Sequence, residues 1–126
     1  MPDPRHQLGL RAESSVAAWL ESRGWSVLAR RWRCARGELD IVCRDPDGAL
    51  VAVEVKMRTA GRAGSGADAL VAARLRQVRR LRAALGAYLE ARPLDHHGLR
   101  VDLVEVRPAD VPERWRLRHL RGVDGW

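Results

Sequence analysis

One stretch near the middle of the chain, residues 37–58, most constrains what the protein can fold into. It reads GELDIVCRDPDGALVAVEVKMR, with apolar and polar residues alternating on either side of Asp45-Pro46-Asp47-Gly48. Alternation with a period of two is typical of a half-buried β-strand. Proline presets φ, aspartate caps the local backbone and glycine accepts positive φ, so the central segment indicates a tight turn. The stretch therefore predicts a β-hairpin.

The register of this hairpin brings charged residues together. Folding about Asp47 sets Asp40 opposite Glu54 and Glu38 opposite Lys56. Directly opposed Cβ atoms in an antiparallel pair lie about 4.5–5.5 Å apart. Side chains two residues apart along one strand share a face. We therefore expect these four charged side chains to converge on one side of the hairpin, with the aliphatic residues on the other.

The two facing carboxylates are the most informative part of this cluster. Like charges opposed across strands destabilise a sheet, which favours a cation between them. Mg²⁺ takes oxygen ligands and usually keeps waters and substrate phosphates in its remaining positions. Asp40 and Glu54 therefore indicate a Mg²⁺ (or Mn²⁺) site, beside which Lys56 could hold or polarise an attacking water. The alternative is a surface ladder of salt bridges, in which Lys56 pairs with Glu38 or Glu54 and contributes little stability.

Lys56 is distinctive because it is the only lysine in a chain that has 23 Lys and Arg residues in all. Arginine is a planar, permanently charged fork, whereas lysine is a compact ammonium whose pKa responds to its surroundings. A requirement for an amine beside two carboxylates explains this choice better than surface charge does. Chance is the remaining explanation.

The periodicity of the rest of the chain predicts an α/β layer fold. We expect helices over residues 7–23 and 67–91, strands over residues 25–33 and 99–106, and the two hairpin strands between them. This order gives a mixed four-stranded sheet flanked by helices. The 126 residues suffice for one domain. We expect its core to span about residues 7–107, with residues 108–126 as a tail on the surface.

The motifs also resemble those of known proteins. Asp40 followed by Glu54-Val55-Lys56 is similar to the D…E-x-K signature of the PD-(D/E)XK nuclease superfamily, which has a restriction-endonuclease-like (or tRNA-endonuclease-like) αβββαβ core. A wider set, in order along the chain, resembles the uncharacterised bacterial YraN-type family. This set comprises Gly9 and Glu13, Gly37-Glu38-Leu39-Asp40, Val53-Glu54-Val55-Lys56 with Arg58, an Arg-rich helix, Arg100-Val101-Asp102 and His119-Leu120-Arg121-Gly122.

The resemblance implies an endonuclease that uses Mg²⁺ or Mn²⁺ to hydrolyse phosphodiester bonds in nucleic acid, with structure-selective recognition as in junction resolvases. Asp40, Glu54 and the Val55 carbonyl would bind the metal, and Lys56 would complete the catalytic set. Supporting roles would fall to Glu13, Glu38 and Gln77, although Glu13 could equally be an ordinary helix-surface acid.

Two other functions stay open. The first is a non-catalytic nucleic-acid-binding module on a nuclease-like scaffold. It is favoured by departures from the family pattern, which lie at Arg31, Ala52, Met57 and Gln77. The second is a basic protein-interaction adaptor, for which no sequence feature argues.

The charge of the chain favours a nucleic-acid partner. The formal net charge is +7, the sequence pI is near 11, and arginine binds phosphate bidentately. A GC-rich genome, which raises arginine throughout, is the competing explanation. The candidate nucleic-acid contacts are Arg31, Arg33, Arg36, Arg58, Arg62, Arg76 and Arg80. We expect DNA rather than RNA, no membrane association and a cytoplasmic location, and a homodimer stays open. The glycine-rich residues 59–66 are expected to form a mobile loop beside the site.

Overall fold

The computed structural model describes residues 3–58, 67–108 and 114–125. Within these ranges the elements are α1 (Pro4–Ser22), β1 (Ser26–Cys34), β2 (Gly37–Arg44), β3 (Leu50–Met57), α2 (Ala67–Ala91), β4 (Leu99–Pro108), β5 (Trp115–Leu120) and a 3₁₀ turn (Val123–Gly125). The predicted α/β class is confirmed. The predicted bounds of α2 match, whereas α1 begins three residues earlier than expected, at Pro4.

The strands form one mixed sheet in the order β1-β2-β3-β4-β5. Strands β3 and β4 are parallel, and the other neighbouring pairs are antiparallel. The prediction of four strands was wrong, because residues 115–120 pair with β4 instead of lying as a tail on the domain surface. Trp115 and Leu117 pack against the apolar core on one face. This strand escaped prediction because its short, arginine-rich sequence resembles a solvated segment.

Helices cover both faces of the sheet. Helix α1 packs on one face, over a cluster that includes Ile41, Val51 and Val104. Helix α2 packs on the other face, over a cluster that includes Val42 and Ala52. The expectation of an aliphatic face opposite a charged face was therefore wrong for the hairpin. A sheet between two helix layers is apolar on both faces, so the charged residues of the hairpin are confined to its open end.

The hairpin turn is built as its sequence indicates. One carboxylate oxygen of Asp45 accepts hydrogen bonds from the backbone N–H groups of Asp47 and Ala49, each 2.9 Å long. Gly48 has a φ of 89°, which glycine adopts without steric cost. The turn sets the register that pairs Arg44 with Leu50 and continues to Ile41 and Val53.

Strands β1 and β2 are irregular close to the open end of the hairpin. Arg31 in β1 has a φ of 52°, in the left-handed region. Leu39 packs on the α2 face, whereas Ile41, two residues later in β2, packs on the α1 face. A regular strand would place both residues on the same face. The alternation of side chains along β2 therefore shifts by one residue at Asp40, so the Asp40 side chain does not follow the regular pattern of the strand.

Candidate metal and active site

Asp40 lies where β2 and β3 separate. The last two residues in register between these strands are Ile41 and Val53. Beyond it, the backbone N–H of Val55 donates to Asp40 Oδ2 at 2.9 Å. The carboxylate thus takes the place of a backbone acceptor, which satisfies an N–H group that the separation of the strands would leave unpaired. This bond holds the Asp40 side chain between the two strands.

Glu54 lies beside Asp40 and faces α2. Its Oε1 atom accepts a hydrogen bond from Gln77 Nε2 of α2 at 3.1 Å. Lys56 Nζ lies 3.5 Å from the same oxygen. The carboxyl of Asp40 lies close enough to repel that of Glu54. The structure therefore brings together the three residues that the sequence assigned to catalysis, and it places Gln77, one of the expected supporting residues, where it orients Glu54.

Each of the two carboxyls makes ionisation of the other less favourable. Burial, together with repulsion from Asp40, raises the pKa of Glu54 to about 8, and the nearby Lys56 only partly offsets this. Burial also raises the pKa of Asp40, against the hydrogen bond from Val55 N–H. Glu54 therefore holds its proton at neutral pH, and a bound cation would displace it.

Glu13 of α1 approaches the pair from the opposite face of the sheet. Its Oε2 atom is buried and has no hydrogen-bond partner. Burial and repulsion from Asp40 raise the pKa of Glu13. A buried, unsatisfied carboxylate oxygen is costly unless a proton or a cation satisfies it. Glu13 thus fits a role as a third oxygen donor close to Asp40.

The oxygen atoms at the site suit a hard cation, such as Mg²⁺, that is only partly enclosed by protein. Oxygen atoms of Asp40, Glu54 and Glu13 and the main chain at Val55 meet the preference of Mg²⁺ for oxygen. Within residues 3–58, 67–108 and 114–125, however, no group of three or more His, Cys, Asp or Glu side chains is already arranged to hold a metal. Mg²⁺ usually binds one or two carboxylates and keeps several waters, so the pair of carboxyls is the part that fits it.

Glu38 occupies a different position from the expected one. Its carboxylate accepts hydrogen bonds from Arg33 Nε at 2.9 Å and from Arg31 Nε at 3.3 Å. Burial alone would raise the pKa of Glu38, but these bonds outweigh it and lower the pKa. The expected position opposite Lys56 was wrong, since the β2–β3 ladder ends before Glu38. Glu38 instead holds two of the candidate nucleic-acid contacts, Arg31 and Arg33, at the edge of the site.

A cleft of about 240 Å³ opens beside the carboxyl pair, between α2 and the sheet. Glu54, Lys56 and Gln77 line it together with two arginines, Arg58 and Arg74. Arg58 was expected near the site, whereas Arg74 was missed. The signal for Arg74 was its spacing, since residues three apart on a helix lie on the same side and Gln77 follows it by three.

Three of the remaining candidate arginines lie within the described residues. Arg36, Arg76 and Arg80 are exposed, and the Arg80 side chain lies against Gly37 at the β1–β2 turn. Arg62 and the expected mobile loop fall outside the described residues. Whether any of these arginines contacts nucleic acid stays a prediction.

Comparison with known proteins places the chain in a family. A model of the family described as "Uncharacterised protein family UPF0102" matches residues 12–106. This chain belongs to that family. The UPF0102 match includes Glu13, Asp40, Glu54 and Lys56, and it ends before β5. The resemblance to the YraN-type family is thereby confirmed.

Relatives in several bacteria span almost the same length. A UPF0102 protein of Mycolicibacterium vanbaalenii is 37% identical over 123 residues, which cover 96% of each chain. One from an Arthrobacter species is 40% identical and covers 92% of this chain and 94% of its own. Another from Thermosynechococcus vestitus is 41% identical over 82% of each chain. In the part of the UPF0102 chain that the structure describes, neither helix is long and apolar enough to span a membrane.

Proposed function

We propose that this protein is a metal-dependent endonuclease that hydrolyses phosphodiester bonds in nucleic acid, with DNA as the preferred substrate. The observation that carries the proposal is the Asp40–Glu54 pair, two largely buried carboxyls that repel each other beside the only lysine of the chain. Such a pair is costly to fold and gains stability when a cation replaces the proton on Glu54. Such a cost is typical of functional sites rather than of surface salt bridges.

Mg²⁺ or Mn²⁺ held by Asp40, Glu54 and the Val55 carbonyl would polarise the phosphodiester and supply an activated water. Lys56 stands next to Glu54 and has a side chain that is 39% exposed, so it would orient the water and offset charge that develops on the phosphate. Gln77 would hold Glu54 in its orientation through the 3.1 Å hydrogen bond. Glu13 would hold or move a proton beside Asp40.

The arginines supply substrate binding without base recognition. Arg58 and Arg74 line the cleft, and Arg31 and Arg33 are fixed by Glu38 at its edge. Guanidinium groups bind phosphates, and phosphate contacts set position without reading sequence. We therefore expect recognition of nucleic-acid structure, such as branches or flaps, rather than of a base sequence. A homodimer stays a prediction.

A second candidate is a module that binds nucleic acid but does not cut it. The observation that favours it is the incompleteness of the metal cage, since the described residues contain no group of three or more acidic or His/Cys side chains arranged around one point. Gln77, at a position where the family usually has lysine, adds to this. The binding module would use the same arginines and would need no metal.

Cleavage assays with branched, flapped, duplex and single-stranded DNA and RNA separate these functions. The wild-type protein should cut at least one substrate in Mg²⁺ or Mn²⁺ and none in EDTA. Asp40→Asn and Lys56→Ala should each lower the rate by at least about 100-fold, since removal of one charge-stabilising group typically costs 10²–10³ in rate.

Asp47→Asn is the matched control, because this exposed turn residue lies at the far end of the hairpin. It should leave the rate unchanged. Cleavage that Asp40→Asn and Lys56→Ala retain would refute the assigned site. Binding that is sensitive to salt but indifferent to metal, without cleavage, would establish the binding module instead.

A further inference from the structure

The cleft beside the carboxyl pair has two ends of different character. Its mouth carries the charged and amide groups of the candidate site. Its inner end is apolar and is lined by Val78 and Leu81 of α2, Val101 and Leu103 of β4, and Val123 of the 3₁₀ turn. None of these five side chains is more than 7% exposed. We name the space that they line the apolar pocket.

One side of α2 lines both ends of the cleft. Val78 follows Arg74 by four residues, and Leu81 follows Gln77 by four. Residues four apart on a helix are neighbours on the same side. The side of α2 that orients Glu54 through Gln77 therefore continues directly into the apolar pocket. A ligand with a charged group at the mouth can place its next group against Val78 and Leu81.

The 3₁₀ turn closes the inner end of the pocket. Asp124 in this turn accepts a hydrogen bond from the backbone N–H of Val101 at 3.0 Å. The same carboxylate forms an ion pair with Arg82 of α2. The turn is thus tied to both walls of the pocket, β4 and α2, and these bonds hold Val123 in place as its back wall.

The cleft is large enough for a ring system. Its volume is about 240 Å³, whereas close-packed protein interiors contain few voids larger than a water molecule. An apolar cavity of about 150 Å³ is large enough to bind benzene, and apolar walls give water few hydrogen bonds. The cleft therefore has room for a ring of the size of a nucleobase, with aliphatic side chains to contact its faces.

The mouth of the cleft favours an anionic group on that ligand. Lys56, Arg58 and Arg74 line it together with Glu54. Glu105 is in register with Lys56 on the neighbouring strand and offsets part of its charge, although it does not line the cleft. Even with both carboxyls ionised, the three cations exceed these two acids, so the mouth attracts a phosphate.

Asp102 also lines the cleft, but its carboxylate does not reduce this positive charge. Val101 and Leu103 pack on the α2 face, so alternation directs the Asp102 side chain to the opposite face. Arg100 and His119 hold it there. The cleft thus combines a cationic mouth with an apolar interior, and a nucleotide has the complementary form, a phosphate joined to a flat ring.

We propose that the apolar pocket binds the base of an unpaired nucleotide whose phosphate lies among Lys56, Arg58 and Arg74. A base in a duplex is stacked and paired, and an already unpaired base enters a pocket at lower cost. The pocket would therefore select flaps, bulges and branches over continuous duplex. The proposal rests on the proposed function for its nucleic-acid ligand, whereas binding of the base requires neither metal nor cleavage.

The test compares two DNA duplexes in EDTA. Each contains one unpaired nucleotide, which carries a base in the first probe and is abasic in the second. Both probes have the same phosphates, so the ratio of their dissociation constants measures the contribution of the base. Burial of an apolar ring typically contributes about 10- to 100-fold in affinity. The wild-type protein should prefer the probe with the base by about 10-fold, as measured by fluorescence anisotropy.

Leu81→Phe fills the pocket and should bring the two dissociation constants close to equality. The matched control is Leu75→Phe, the same substitution at an exposed position of α2 that does not line the cleft. It should keep the wild-type preference. Val123→Met fills the pocket from its back wall and decides the result if circular dichroism shows that Leu81→Phe is unfolded.

Equal affinities of the wild-type protein for the two probes would overturn the pocket. A preference that the folded filling variants retain, or that Leu75→Phe loses equally, would also overturn it.

Failure of the nuclease proposal would look different. A preference for the base that the filling variants lose, with no cleavage of any substrate by the wild-type protein, would leave the pocket in place and refute the enzyme. Cleavage that depends on Asp40 and metal, with equal affinities for the two probes, would refute the pocket alone. Absence of binding to any DNA or RNA at low salt would refute both.

Discussion

At the scale of single residues, the state of the site depends on Glu54. Its carboxyl is held by Gln77 and Lys56 on one oxygen and contacts Asp40. Burial and the neighbouring Asp40 raise its pKa to about 8, so it carries a proton in the folded protein under conditions where it would be ionised in the unfolded chain. The folded state therefore binds more protons than the unfolded state between the two pKa values.

This difference predicts how stability depends on pH when metal is absent. The unfolding free energy of the wild type should fall as pH rises from about 4.5 towards 8, the interval between the ordinary and the raised pKa of Glu54. Glu54→Gln removes this dependence, because the amide is neutral in both states, as the protonated acid is. In EDTA the variant should melt several degrees above the wild type at alkaline pH, since one unit of pKa difference corresponds to about 1.4 kcal/mol.

Near pH 5 the two proteins should melt at similar temperatures, because Glu54 is then neutral in the folded wild type. Thermal melts in EDTA across this interval are the measurement. A difference in melting temperature that is the same at all pH values would mean that the Glu54 pKa is not raised.

Arg31 predicts a second effect on stability. Its φ of 52° is unfavourable for a residue with a Cβ atom and is free of that cost for glycine. Arg31→Ala and Arg31→Gly both lose the ion pair with Glu38. They therefore form a matched pair that differs only in how readily the residue adopts a positive φ. The glycine variant should be more stable than the alanine variant by roughly 1 kcal/mol, measured by urea unfolding. Greater stability of the alanine variant would rule out the left-handed conformation.

At the scale of elements, a buried carboxylate joins β4 to its surroundings. Asp102 is fully buried. It accepts hydrogen bonds from Arg100, which also bonds to Asp45 of the hairpin turn, and it contacts His119 Nε2 of β5 at 2.8 Å. Its remaining partner is the backbone N–H of Gly122. Asp102 thus connects β4 to β5, and Arg100 extends the network to the hairpin turn.

Asp102→Asn should destabilise the fold by about 2 kcal/mol, because it removes one of the two carboxylates, each 2.8 Å away, that neutralise the partly buried Arg100. Burial would raise the pKa of Asp102, but the bonds from His119 and Arg100 outweigh it and lower the pKa. The contribution is therefore present above the ordinary pKa of about 3.8 and is lost as pH falls through the lowered value. Chemical denaturation at neutral and acidic pH measures both effects.

The exposed Asp47 provides the control, since Asp47→Asn should change the unfolding free energy little. A cost for Asp102→Asn that equals that of Asp47→Asn would contradict the assigned network. A cost that does not shrink in acid would show that the ionised form of Asp102 is not what stabilises the sheet.

At the scale of the whole molecule, the candidate site joins parts that are distant in sequence. Asp40 and Glu54 come from two strands, Glu13 from α1 and Gln77 from α2. A cation between the carboxyls would therefore link both helix layers to the sheet. Any ligand that binds only the folded state stabilises it in proportion to the logarithm of its concentration.

Mg²⁺ or Mn²⁺ should accordingly raise the melting temperature of the wild-type protein. At a metal concentration about 100-fold above the dissociation constant, the free energy of unfolding should rise by about 2.7 kcal/mol. Asp40→Asn should lose most of this gain and Asp47→Asn should retain it, as measured by differential scanning calorimetry with added metal or EDTA. An equal gain in all three proteins would indicate binding elsewhere.

The sequence by itself determined the hairpin, its register and the extent of α2. Strand alternation, the Asp45 turn and the apolar stripe of α2 are local properties, and continuing the register one residue past Ile41 and Val53 sets Asp40 beside Glu54. The solitary lysine was equally visible in the sequence.

Tertiary structure alone decided the rest. The pairing of residues 115–120 with β4, the engagement of Glu38 by Arg31 and Arg33, and the entry of Arg74 into the cleft all depend on which elements become neighbours. Short-range patterns contain no such information, because contacts between distant segments are selected by the burial of whole faces. The two-sided core has the same origin, since each apolar face of the sheet is buried only because a helix covers it.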